Sequence, residues 1–411
     1  MVNLPIQSFI SKPDAALELA SRAGLKNIDP YDYDLYNILK QASSTVAPIT
    51  NHAIEIVDWS SALGVIKQVH AAPTGQILQP IDYLNGRPDC FPPFHGRWNS
   101  LTPEYNTISV TDGYLLLLPD APIVLSSSRQ VIEPYGSRYR GLLHYYDVDA
   151  CQILDDAVTI NGTVFNIIDD VWGLNFCHWL CDWLPRLAFL GSVSADKNVF
   201  VATSPLTTKF QLESLMAAGF TSDRIVQMKP HIAVRAERLI VPSDLGQIQH
   251  PAYKASPWAL NYLRGSIVAN LVPQKIDDLP KKLYISREDA GGRRILNEEE
   301  LMNRLEKFGF KSVSLVGRSL AEQAALFNNA DNIVSLHGAA LSNLVFTRRN
   351  ARVVEVFPET YGTPAFAIIA TAGALNYATY ICKHVQSGAR NQLDDIVLDV
   401  DDFIEACATY L

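Results

Sequence analysis

The stretch NIVSLHGAALSNLVF (Asn332–Phe346) sets a short apolar run, a small-residue turn and a short apolar helix end to end. NIVSL has the pattern of a strand covered on both faces. Gly338 permits close backbone approach at the turn, and the free N–H groups of a helix start favour an anion. His337 stands at the carboxyl end of the strand, where a side chain meets a ligand. The same turn also serves simply to pack helix on sheet, and these residues alone leave the two readings level.

The alternation continues outward on both sides. Strand KLYIS, helix NEEELMNRLEKFG, strand SVSLV and helix SLAEQAALFNNA precede it; strand RVVEVF, helix PAFAIIATAGA and strand YATYIC follow. Asn297 with Glu300, and Ser319 with Glu322, have capping-box spacing. Strands alternating with helices imply a parallel, doubly wound sheet, with ligands at the carboxyl ends of its strands near a topological switch point.

Two more pieces of this half carry chemistry. ISREDAGGRR (Ile285–Arg294) closes a strand and brings Arg287, Arg293 and Arg294 together, with glycines for loop freedom. Guanidinium forks bind phosphate oxygens two at a time, so the cluster suits a diphosphate. Pairing with Glu288 and Asp289 on a solvated loop is the plainer reading, and at least one arginine is expected to be structural. In RVVEVFP, Glu355 sits inside an apolar strand and needs a partner: ribose hydroxyls or a neighbouring arginine. Asn343, on the short helix, is a weaker candidate. No GxGxxG and no GxxxxGK[ST] is present, which weakens dehydrogenase and P-loop readings.

Upstream, residues 106–170 read as strands (DGYLLLLPDAPIVL, CQILDDAVTI, TVFNII), with Asn161–Gly162 as a hairpin signal. NVFVAT, DRIVQM and RLIVP read as further strands, and SPLTTKFQLESLMAAGF as a helix ending near Gly219. SPWALNYLRGSIVANLV reads as a helix and PQKIDDLPKK as a linker. PDAALELASRAGL is an expected helix near the N-terminus; residues 75–105 are irregular, rich in Pro, Gly and Asn. The expected organisation is an N-terminal region 1–105 joined to an acceptor-side α/β domain 106–270, a ligand-binding Rossmann-like domain 271–385, and an acidic tail 386–411 whose last part packs as an amphipathic helix.

Between these halves lies NFCHWLCDWLPRL (Asn175–Leu187). On a regular α-helix His178, Asp182 and Arg186 share one stripe, so Asp182 can orient the His178 ring and raise its basicity, which suits a general base. A buried pair that only fixes packing is the alternative. Trp179 and Trp183 form a parallel stripe, either to stack on a sugar or to fill the core. Cys177, His178, Cys181 and Asp182 lack a second ligand cluster, which argues against zinc. Two DxD strings, Asp147–Asp149 and Asp399–Asp401, could each hold a divalent ion, but so short a motif arises easily by chance.

A chain of 411 residues with 48% apolar and 19% charged residues is globular and long enough for two domains. The net charge of −9 argues against nucleic acid or an anionic membrane as partner. No leader pattern and no apolar run long enough to span a membrane is read. Six scattered cysteines without a CxxC pair fit a reduced, cytoplasmic protein without disulfides.

NFCHWLCDWLPRL, YISREDAGGRRILNEEEL and IVSLHGAALSNLVF followed by VVEVFP together resemble the signature segments of glycosyltransferase family 61, in matching order and spacing over about residues 165–385. The resemblance implies an inverting transferase of GT-B fold, with two Rossmann-like domains facing across a cleft, and catalysis usually without a metal. It implies no cofactor beyond a sugar-nucleotide donor, expected to be UDP-linked, and a glycan or lipid-linked glycan acceptor, as in surface polysaccharide synthesis. Carried over, Arg287 with Arg293 or Arg294 would contact the diphosphate. His337 and the Gly338–Ala339 backbone would contact phosphate or sugar, and Glu355 the ribose. His178 and Asp182 would face them from the N-terminal domain, His178 as first candidate base and Asp182 as second. Cys177 departs from the family, where many members have glycine. The competing readings are a metal-dependent GT-A transferase using Asp147 and Asp149, a silent nucleotide- or glycan-binding protein, and a sugar-nucleotide epimerase.

Overall fold

The computed structural model describes residues 56–58, 60–70, 81–86, 105–117, 122–133, 150–168, 175–242, 257–271, 279–288, 292–359, 361–362, 364–382 and 395–411. The expected N-terminal helix, most of the Pro-rich segment, Asp147–Asp149 and most of the linker lie outside them. The strands in chain order are β1 (Ile56–Asp58), β2 (Val65–His70), β3 (Ile81–Tyr83), β4 (Tyr105–Leu117), β5 (Pro122–Leu125), β6 (Val131–Glu133), β7 (Val158–Asn166) and β8 (Val199–Thr203). They continue with β9 (Ile225–Gln227), β10 (Ile232–Pro242), β11 (Lys282–Ile285), β12 (Lys311–Val313), β13 (Asn332–Leu336), β14 (Arg352–Pro358) and β15 (Asn376–Cys382).

The chain forms two compact units, neither of them continuous in sequence. The first comprises Met1–Ala72, Pro103–Leu174 and Asp182–Pro251; the second comprises Pro73–Thr102, Asn175–Cys181 and Ala252–Leu411. The expected acceptor domain 106–270 is therefore shared between them. In particular, the turn that carries His178 belongs with the arginine cluster in the second unit, not with the first.

The first unit holds a mixed sheet of order β1-β6-β5-β4-β10-β7-β8-β9, with β2 also paired to β4. β4 runs antiparallel to β10, whereas β10-β7-β8-β9 is parallel. Two local expectations fail here. Asn161–Gly162 is no hairpin: β7 passes straight through it, and the pairing with β10 shifts register between Ala236 and Arg238. The extra residue makes a β-bulge. Gly162 has φ 142° there, and a Cβ would stand 2.6 Å from the Asn198 carbonyl oxygen, so glycine serves close approach rather than a turn. CQILD is helical (Ala150–Asp155), and the strand starts only at Val158.

The second unit holds a sheet of six parallel strands in the order β12-β11-β13-β14-β15-β3. The order reverses between β11 and β13, which makes that pair the switch point. Helices Glu298–Leu305, Leu320–Asn329 and Ala365–Ala372 and a 3-10 helix, Ala339–Phe346, connect the strands. One face of the sheet (Tyr284, Val334, Leu336, Val354, Val356, Tyr380) buries against Leu301, Leu305 and, from the C-terminal helix, Phe403 and Cys407. Coverage of both faces is why the strands read as unbroken apolar runs. Ser319 and Glu322 form the expected capping box. Asn297 does not: its side-chain oxygen accepts from the Leu398 N–H and its amide donates to the Leu398 carbonyl, tying the helix start to the C-terminal segment.

Candidate functional site

Alternation along the parallel strands decides which side chains meet. The register pairs Ser335 with Glu355 and Glu355 with Thr379. Residues two apart share a face, so His337 emerges beside Phe357 and Tyr377 lies diagonal to Glu355, all on the face opposite the Val334–Val356 cluster. The rings of His337 and Phe357 stack accordingly, with centroids 5.0 Å apart and planes at 22°. Tyr361 and Phe366 enclose the imidazole at 5.4 and 5.1 Å.

His337 is 5% exposed and Glu355 0%. Nδ1 of His337 is hydrogen-bonded to Oε1 of Glu355, and the Tyr377 hydroxyl donates to Oε2. Burial pushes the Glu355 carboxyl well above the usual carboxylate range, against the opposing pull of the Tyr377 hydrogen bond and Arg293. Burial, reinforced by the Arg293 and Arg287 guanidiniums, holds the His337 imidazole below its ordinary value. Both Glu355 oxygens are hydrogen-bonded, one to His337 and one to Tyr377, and Arg293 is the neighbouring arginine that acts on its charge.

The loop after β11 folds over the turn after β13. Arg287 donates from Nε to the Arg293 carbonyl (3.0 Å) and from Nη2 to the Gly292 carbonyl (3.3 Å), and its guanidinium lies over Gly338. Arg293 adopts φ 56°, is 8% exposed, donates from Nη1 to the His337 carbonyl (3.0 Å) and sits 4.8 Å from the Tyr361 ring centroid. Burial lowers its pKa to about 10, which still leaves it charged at neutral pH. Arg287 and Arg293 are therefore brought to His337 and Gly338 at the switch point, with Ala339 opening the short helix behind them. Arg294 is not. It turns outward and pairs with Asp395 at 2.7 Å. Asn343 is fully buried and donates to Gln323 and to the Ala340 carbonyl, both at 3.0 Å, tying the short helix to its neighbour.

The segment Asn175–Leu187 differs from a regular helix. Asn175 caps a single α-turn, accepting from the Cys177 N–H at 2.8 Å. Trp179–Trp183 is a π-turn, and a 3-10 stretch begins at Leu184, next to Pro185, which has no N–H to give. The stripe expected for His178, Asp182 and Arg186 assumed α spacing throughout, whereas the segment passes from α through π to 3-10 geometry. Asp182 and Arg186 are buried in the first unit. Arg186 donates from Nε to the Asp182 carbonyl at 3.1 Å and from Nη1 to the Ile168 carbonyl at 3.5 Å, a packing role. Trp179 and Trp183 fill core rather than presenting a stacking face. His178 is half-buried on the turn that packs against Ala339–Phe346, and the neighbouring Cys177 lies near enough to Glu355 to affect its ionisation.

Among the described residues no cluster of three His, Cys, Asp or Glu could hold a metal ion. Asp399 caps the C-terminal helix, accepting from the Asp402 N–H at 3.1 Å, and Asp401 pairs with Arg304, so that DxD is accounted for by helix structure. The site residues missed from sequence are Tyr361 and Tyr377. Only the fold places them beside Arg293 and Glu355.

Comparison with known proteins bears on this geometry. The family described as glycosyltransferase 61 matches residues 176–354, which includes both arginines and His337 and stops one residue short of Glu355. A protein O-linked-mannose beta-1,4-N-acetylglucosaminyltransferase 2 from Mus musculus is 45% identical over 179 residues, 42% of this chain and 26% of that protein. The beta-1,2-xylosyltransferase XAX1 of Oryza sativa subsp. japonica is 38% identical over 96 residues, 21% of this chain and 17% of that one. The alpha-1,3-arabinosyltransferase XAT3 of the same plant is 32% identical over 82 residues, 19% and 14%. The chain thus spans about a quarter or less of the length of these curated relatives.

Proposed function

We propose that the chain acts as a member of glycosyltransferase family 61 and transfers a sugar from a nucleoside-diphosphate donor, UDP-linked, to a hydroxyl of a glycan or lipid-linked glycan, with inversion and in the GT-B manner. What carries the reading is the laying of Arg287 over Gly338 at the β11/β13 switch point, with Arg293 buried alongside. Two guanidiniums beside a helix start form a preorganised positive site where a diphosphate gains charge as it leaves.

In the proposed step the acceptor oxygen attacks the anomeric carbon as the bond from that carbon to the diphosphate oxygen breaks. The acceptor proton passes to a base, for which His178 is the first candidate and Asp182 the second. The electron pair of the broken bond stays on the diphosphate, where Arg287 and Arg293 stabilise it. Charge stabilisation by guanidiniums is an alternative to a divalent ion, so no metal is invoked.

A thermal-shift series with UDP and UDP-sugars, with and without EDTA, tests the donor site. A rise in Tm with UDP that survives EDTA and is lost in Arg287→Ala is the expected result. A rise only with manganese would favour a metal-dependent transferase. No response to any nucleotide would overturn the proposal.

A further inference from the structure

The buried chain from Tyr377 through Glu355 to His337 has a direction. The Tyr377 hydroxyl donates to Oε2 of Glu355, so Oε1 is left to face Nδ1 of His337. Two arrangements satisfy that contact. Either an ionised Glu355 accepts a proton bond from Nδ1–H, or a protonated Glu355 donates from Oε1 to a bare Nδ1. The first leaves Nε2 as an acceptor; the second leaves Nε2–H as a donor.

We propose that Tyr377 and Glu355 are positioning residues that fix His337 as a neutral Nε2–H donor, each of the three passing a hydrogen bond one way, and that this donor serves an anionic oxygen of the bound ligand. The first argument is cost. Glu355 has no exposed surface, and a buried charge is far more expensive than a buried neutral acid whose two oxygens are both partnered. The groups facing the chain keep the imidazole neutral and leave burial to decide the carboxyl. Arg287 and Arg293, from the loop after β11, disfavour an imidazolium. Cys177 and Tyr83, from the turn at 176–178 and from β3, add no positive charge to hold a carboxylate; the Tyr377 hydrogen bond and Arg293 pull toward one, against the larger effect of burial. The second argument is complementarity. A neutral N–H beside two guanidiniums adds a third donor without a third charge, whereas a bare Nε2 would set a lone pair against phosphate oxygens. The anion-facing half rests on the donor site proposed above; the proton assignment does not.

The test is 15N NMR of the wild-type protein labelled at histidine, without nucleotide, at neutral pH. His337→Gln assigns the resonance among nine histidines; should that variant not fold, through-space contacts of the ring to Phe357 and Phe366 assign it. A protonated Nε2 with a bare Nδ1 is expected. A protonated Nδ1, or an imidazolium, would overturn the relay. Tyr377→Phe should also shift the His337 signal and weaken binding of inorganic pyrophosphate roughly threefold to tenfold, the loss of one hydrogen bond in a chain. Glu355→Gln, whose amide can still donate to Nδ1, should bind pyrophosphate within about threefold of wild type. An unmoved His337 signal in Tyr377→Phe would remove Tyr377 from the relay. Failure of wild type to bind pyrophosphate would overturn the anion-facing half and the donor site with it, while the tautomer measurement would still decide the rest.

Discussion

A methyl group on residue 338 would collide with Arg287: a Cβ built on Gly338 would stand 2.9 Å from the central carbon of the guanidinium. The atoms in its way are the far end of a flexible side chain, so the fold can yield, but only by moving the arginine. Gly338→Ala should therefore leave Tm within a few degrees of wild type and weaken UDP binding about tenfold or more, close to the loss in Arg287→Ala. Because both changes remove one interaction, their double variant should bind no worse than either alone. Calorimetric titration of the four proteins decides it, and additive losses would show that glycine acts independently of Arg287.

The three arginines of the β11 loop should separate cleanly. Arg293→Ala removes a buried donor to the His337 carbonyl and a cation stacked on Tyr361. It should cost about 2–4 kcal/mol in urea unfolding and abolish nucleotide binding. Arg294→Ala breaks only an outward pair with Asp395 and should keep donor KM and kcat within roughly twofold of wild type.

Glu355 gives a pH signature. Burial raises its carboxyl in the folded chain, so the stability from its bound proton is complete below the ordinary carboxylate value and is lost as pH rises toward the folded value. The slope reaches about 1.4 kcal/mol per pH unit above roughly pH 4.3. His337, whose value is depressed, works in the other sense. Its contribution is present above about pH 6.5 and is lost as pH falls through the folded value. Glu355→Gln removes only the first slope. Urea midpoints from acid to mildly alkaline pH should show wild type falling relative to the variant as pH rises. Parallel curves would mean that Glu355 is ionised in the fold.

His178→Ala should separate binding from chemistry. As the candidate base it should lower kcat by about a hundredfold or more with donor KM little changed. A rate within a few-fold of wild type would pass the role to Asp182 or elsewhere.

Ser319→Ala offers a control distant in kind. It removes a capping box at the start of Leu320–Asn329 and should cost about 1 kcal/mol while UDP affinity stays unchanged.

The second unit was the more legible half because its elements announce themselves. Leu301 and Leu305 fall on one helical face, Ser319 and Glu322 mark a start, and β13 and β14 are apolar but for Asn332, Ser335, Arg352 and Glu355. The arginines could be found because charge at a strand's carboxyl end is conspicuous, but spacing alone could not say that Arg293 turns in while Arg294 turns out; that depends on the positive φ at Arg293. Tyr377 was invisible for the opposite reason. A tyrosine in a strand is ordinary, and only the β14/β15 register brings its hydroxyl to Glu355. Gly162 misled because Asn-Gly marks close backbone geometry of more than one kind. The regular spacing of His178, Asp182 and Arg186 was misread because it assumed one helix type throughout.

The π-turn at Trp179–Trp183 is best seen as an α-helix that has taken in one residue. In such a segment length carries information that residue identity does not. Deleting a single position there would let the backbone relax to ordinary α geometry, and would rotate Asn175 and His178 by about 100° against the chain that follows. Sequence comparisons across this stretch should therefore allow a one-residue gap, and a relative lacking that residue would present a different side chain where this protein presents His178.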